Sequence, residues 1–104
     1  MDLAHLARLT FGSRDLEREV LRLFLGQSRG LLERIRAAEA ADQRFMAAHT
    51  LKGSARGIGA VRVARLAEAA ERKDLPAGDA ARILAELARA VEEANGFIRD
   101  VLED

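Results

Sequence analysis

Apolar residues recur at steps of three and four along most of this chain, and that spacing constrains its fold more than any other feature. Leu16, Val20, Leu23, Phe24, Leu31, Ile35 and Ala38 form one series; Ile83, Leu84, Leu87, Val91, Ile98 and Val101 form another. At about 3.6 residues per turn, side chains so spaced share one face of an α-helix. No stretch alternates with the period of two that a half-buried strand requires, so no sheet is expected. The single proline, Pro76, permits long helices elsewhere. Four Phe stand without any Tyr or Trp. The core is therefore built from Leu, Ile, Val and Ala, and its small members let helices approach closely.

Five helices follow from the pattern. "DLAHLARLT" reads as a short first helix with Leu3, Leu6 and Leu9 on one side, broken at "FGS". Ser13 is placed to cap the second helix, with Asp15 and Glu17 in the first turn, where the helix dipole favours negative charge. A second stripe on this helix, Leu21, Leu25 and Leu32, lies roughly 100° around from the first. The third helix is expected from a cap at Asp42 to about Gly59, and the fourth from Val61 to Lys73. "DLPAGD" is the clearest turn, and the last helix is expected to start near Asp79. A chain of 104 residues holds one core. Residues 1–104 are thus expected to be a single all-α domain, an antiparallel four-helix bundle with a short extra N-terminal helix.

Charge and composition remove several function classes. Seventeen basic residues balance 17 acidic ones, whereas a duplex-binding module usually carries a basic excess. No nucleic-acid partner is expected. No run of 18 apolar residues exists and the N-terminus lacks a signal-peptide layout, so the expectation is a cytoplasmic chain with no membrane association. The absence of cysteine excludes disulfides and thiolate chemistry. The two histidines, His5 and His49, have no metal-ligand spacing, and no metal site is expected.

"AHTLKGSARGIGA", residues 48 to 60, holds one of the two histidines and one of the two lysines. Helical phase orients it. Leu51, Ala55, Ile58, Ala47 and Ala48 fall between roughly 160° and 260° from His49, whereas Lys52, Gly53 and Arg56 fall within about 60° of it. His49 is therefore expected on the outer face, with two cations along its stripe. Gly53 costs the helix roughly 0.8–1.0 kcal/mol relative to Ala and clears space beside the imidazole. An exposed imidazole with room around it and positive charge nearby suits the carrying of a phosphoryl group: a ring nitrogen attacks, and the cations stabilise the transferred charge. His5 has no such setting and is assigned no function.

The stretch resembles the signature of histidine-containing phosphotransfer (HPt) domains, whose pattern is close to His-x-Leu-Lys-Gly-Ser-x-x-x-Leu-Gly-Ala. His49, Leu51, Lys52, Gly53, Ser54, Gly59 and Ala60 match it, and Ile58 replaces the usual Leu. "VLRLFLGQSRGLLERI" and "VARLAEAAER" sit where the family puts its second and fourth helices. The resemblance implies that His49 accepts a phosphoryl group from a sensor or hybrid kinase or a receiver-domain aspartate, and passes it to a response-regulator receiver aspartate. It implies that Lys52 orients the phosphoryl group and that Gly53 admits the receiver's active site. Arg56 adds a cation to the site, whereas Ser54, about 140° from His49, is expected to cap or pack. HPt domains often hold the second imidazole nitrogen with a Gln or Glu on the next helix, and the corresponding position here is Glu71. No cofactor of its own is implied; Mg2+ is expected on the partner receiver.

A receiver needs an apolar patch ringed by polar groups. Phe45, within about 40° of His49 by phase, is one candidate. The stripe containing Leu21 and Leu25 is the other, unless it packs under the first helix. A monomer is expected. The alternatives are a phosphotransfer domain belonging to a larger hybrid or chemotaxis-type kinase, a kinase dimerisation hairpin, and a non-catalytic helical adaptor. Thr50 after His49 disfavours the hairpin, which typically has a Pro beyond its His-Glu start.

Overall fold

A computed structural model of the chain describes residues 1–103. Five helices succeed one another among them: α1 (Leu3–Leu9), α2 (Arg14–Ala37), α3 (Ala41–Gly57), α4 (Val61–Ala70) and α5 (Ala77–Glu103). No described residue lies in a strand. α2 packs on α3 and α5, and α4 packs on α3 and α5, so each long helix has two neighbours. One core of Leu, Ile, Val, Ala and Phe24 runs between them. No helix is long and apolar enough to cross a membrane among the described residues.

The helix ends follow local chemistry. Asp2 caps α1 by accepting from the His5 N–H, and Ser13 caps α2 by accepting from the Leu16 N–H. At α3 the start differs from expectation. Asp42 lies inside the first turn, because the chain is already extended at Ala40 and Gln43 Oε1 reaches back to accept from the N–H groups of Glu39 and Ala40. α4 ends at Ala70 rather than Lys73, with Glu71 as its C-cap. α5 begins two residues earlier than expected, where the Pro76 carbonyl accepts its first bond from Ala80.

The turn between α3 and α4 is a Schellman motif. The Ala60 N–H donates to the Ala55 carbonyl and the Gly59 N–H to that of Arg56, while Gly59 adopts φ +74°. Glycine is required there twice over. A side chain would meet the left-handed conformation, and its Cβ would come within 2.7 Å of the Asp2 Cβ and carbonyl oxygen. Asp2 also donates its N–H to the Gly59 carbonyl, which ties α1 to this turn, and Leu6 buries α1 into the core.

α2 needs more than one apolar face because it packs against both α3 and α5. Leu21 and Leu32 are accordingly core residues, 1% and 6% exposed, and Leu25 is half-buried against them. This corrects the expectation that Leu21 belongs to an outward docking stripe.

Candidate functional site

The site is built by three helical positions of α3 and the first residue beyond α4. Ala48 and Leu51 are fully buried and pin the inner face of α3. With that face fixed, His49 points outward, its side chain 61% exposed. Lys52 lies one turn further on. α4 runs back along α3 with Ala64, Ala67 and Ala70 buried, and its end presents Glu71 to the His49 stripe.

The Glu71 carboxylate is the centre of the arrangement. Its Oε1 lies 2.6 Å from Lys52 Nζ and 3.6 Å from His49 Nδ1. The Lys52 and Glu71 side chains are each only 13% exposed, so their charges neutralise each other beneath an open imidazole. Oε1 is itself buried, and its close partner is the Lys52 ammonium. At 3.6 Å the imidazole stands just beyond hydrogen-bond reach of Oε1. A buried, lysine-paired carboxylate oxygen thus lies nearest one specific nitrogen of His49, Nδ1.

Phe45, one turn before His49, stacks its ring on the imidazole with centroids 5.5 Å apart and planes 15° from parallel. Lys73 Nζ lies 5.5 Å from the centroid of the same ring and 2.8 Å from Asp42 Oδ1. That hydrogen bond, with the charge of Lys73, holds the Asp42 carboxyl below its ordinary pKa.

The expected site residues are not all brought together. Glu71 pairs with Lys52 and lies near His49, and Phe45 stacks on His49. Arg56 instead pairs at 3.3 Å with Glu68, both exposed. Gly53 is exposed, and a Cβ there would meet nothing within 4 Å. Ser54 is half-buried in mid-helix and caps nothing. His5 lies by a shallow groove lined also by Asp2, Arg56, Arg65 and Glu68, with no group of three or more potential metal ligands among the described residues.

Two features were not anticipated from the sequence. Arg44 donates to the Ala70 carbonyl at 3.2 Å and to the Arg72 carbonyl at 2.6 Å, bracketing Glu71. Ser28 and Asn95, both fully buried, hydrogen-bond to each other between α2 and α5. The absence of any basic residue in the last turn of α4 is a signal that its carbonyls need an outside donor, but it does not say which arginine supplies it.

A family model described as "Hpt domain" matches residues 19–97, well over half of the chain and everything from early α2 to late α5. No curated protein and no solved structure matches significantly.

Proposed function

The chain belongs to the Hpt domain family, whose members carry phosphoryl groups on histidine in two-component phosphorelays, and from that premise we propose that His49 is its phosphoacceptor. Such domains are carriers that work with kinases and receiver domains, rather than catalysts in their own right. The observation that carries the assignment is the pairing of an open imidazole with a buried carboxylate oxygen 3.6 Å from its Nδ1. A hydrogen bond from Nδ1–H to Glu71 needs an approach of only about half an ångström. It would leave Nε2, across the ring, as the nucleophilic nitrogen.

In the forward step the Nε2 lone pair attacks the phosphorus of a receiver's aspartyl phosphate. The N–P bond forms, the P–O bond to the aspartate breaks, and the aspartate leaves as a carboxylate. Nδ1 keeps its proton, so the phospho-imidazolium faces the negative charge of Glu71. Lys52, paired with Glu71, keeps that carboxylate from repelling the incoming phosphoryl group. Arg56, tied to Glu68, acts at longer range. The reverse step delivers the group to a second receiver. Mg2+ belongs to the receiver in this reading, and the chain supplies no cofactor.

The rest of the reading rests on the same base. The ring of helix contacts supports an antiparallel four-helix bundle, with α1 as an addition outside the matched residues. The chain acts as a cytoplasmic monomer, or as the phosphotransfer domain of a larger kinase; Glu rather than Gln at position 71 favours a domain of the chemotaxis-kinase type. Receiver docking centres on Phe45 and the half-buried Leu25. Leu21, being buried, takes no part.

The test is direct. The protein is incubated with labelled phospho-receiver or kinase across a panel of partners, and acid-labile, base-stable label is expected on the wild type. His49→Gln should carry none, and Glu71→Ala should label more slowly but not lose labelling. Equal labelling of His49→Gln would end the assignment.

A further inference from the structure

Glu71 stands where α4 has already ended, a place where a chain leaving its helix ordinarily has freedom to fray. Its carboxylate nevertheless has to be held against Lys52 and His49. α4 supplies part of the hold, since the Glu71 N–H donates to the Ala67 and Glu68 carbonyls, and Lys52 pairs with the carboxylate itself. The last turn of α4, however, has no basic residue to take up its final carbonyls. A further restraint, on the carbonyls, comes from across the helix pair. Arg44 on the first turn of α3 donates from Nε to the Ala70 carbonyl and from Nη2 to the Arg72 carbonyl. The two acceptors flank Glu71 in sequence. Arg44 is half-buried, and its planar fork has the geometry to hold two carbonyls at once. One turn-edge away, Asp42 ties the next residue, Lys73, at 2.8 Å.

We infer that Arg44 is a positioning residue for phosphotransfer: by clamping the carbonyls on either side of Glu71 it holds that carboxylate in register with His49 Nδ1 and so selects which imidazole nitrogen is the nucleophile. The inference rests on the reading of His49 and Glu71 above and deepens it. Arg44 touches neither the imidazole nor the transferred group; it acts through the backbone that carries Glu71.

A second arginine provides the comparison. Arg18 on α2 donates to the Val101 and Leu102 carbonyls at the end of α5, another helix with no basic residue in its last turn. That end lies about 40 Å along α5 from the segment holding Glu71, at 1.5 Å per residue. Loss of either arginine removes a helix-end cap, but only one of these caps adjoins the site.

The experiment reads the tautomer of His49 by long-range proton–nitrogen correlation spectra of 15N-labelled protein, and its phosphorylation by phosphoramidate alone. In that reaction Nε2 attacks phosphorus, the P–N bond of the reagent breaks, and ammonia leaves. Wild type is expected mainly as the Nδ1–H tautomer. Arg44→Met should shift the balance toward Nε2–H and slow labelling about ten-fold, in line with orienting groups around other functional imidazoles. Arg18→Met should move neither readout. Arg44→Lys, able to satisfy one carbonyl but not both, should fall between. Folded Arg44→Met with the wild-type tautomer and rate overturns the inference; if that variant does not fold, a wild-type tautomer in Arg44→Lys overturns it instead. Glu71→Ala separates the two levels. If it too keeps the wild-type tautomer, the orienting role of Glu71 falls and takes this inference with it. If it shifts while Arg44→Met does not, only the clamp is lost.

Discussion

Gly53 sits in mid-α3 one turn beyond His49, exposed and with open space where its Cβ would be. The fold of this chain therefore offers no reason for a glycine there, although it costs the helix roughly 0.8–1.0 kcal/mol relative to alanine. A requirement imposed by a docking partner accounts for it, and the two readings make opposite predictions. Gly53→Ala should raise stability by about that amount in urea unfolding and leave phosphoramidate labelling of His49 unchanged. Transfer from a phospho-receiver should slow at least several-fold, because the added methyl projects beside the imidazole where the receiver closes. Stabilisation with full transfer would remove the docking explanation. His49 itself was legible at this scale. Its phase opposite Ala48 and Leu51 follows from helix geometry alone, and the structure leaves it 61% exposed while those two are fully buried. Arg56 was not so legible. Phase placed it on the correct stripe, but the choice between a phosphoryl group and Glu68 depended on what α4 put within its reach.

At the scale of elements, the turn joining α3 to α4 governs the site, because it sets how α4 returns along α3. Gly59 ends α3 in the left-handed region and passes within contact of Asp2, whose N–H donates to its carbonyl. An alanine at position 59 would meet a penalty of about 1–2 kcal/mol for the backbone conformation, and its Cβ would collide with Asp2. Gly59→Ala should lower stability by at least that amount and speed amide exchange through α1. Exchange confined to wild-type rates in α1 would show that Asp2 does not hold it. The existence of each helix could be read from apolar spacing, and the end of α3 from its glycine. Ends set by side chains reaching backwards were less accessible: Gln43 rather than the more conventional Asp42 organises the start of α3. The early end of α4 matters most, since it makes Glu71 a cap residue rather than a helical one.

Across the whole molecule, α2 and α5 are joined through the core by Ser28 and Asn95, whose side chains exchange hydrogen bonds of 3.0 and 3.3 Å with no exposure to water. Ser28→Ala should cost about 1–3 kcal/mol, because it strands the buried Asn95 amide, as measured by urea unfolding. The double change Ser28→Ala, Asn95→Leu should cost less than the sum of the single changes, since no polar group is then left unpaired. Additive losses would show that the pair contributes only packing. From the sequence alone come the helices, the inward face of most of them and the outward direction of His49, because period and phase are properties of a single helix. The tertiary structure decided what depends on register between helices. It brought Glu71 to His49 and Lys52, Arg44 to the carbonyls around Glu71, and Ser28 to Asn95. It also turned Leu21 into the core, since α2 is covered on two sides. The physical reason is that apolar periodicity says which face of a helix is buried, whereas the height at which two helices meet is set by how their particular side chains interlock.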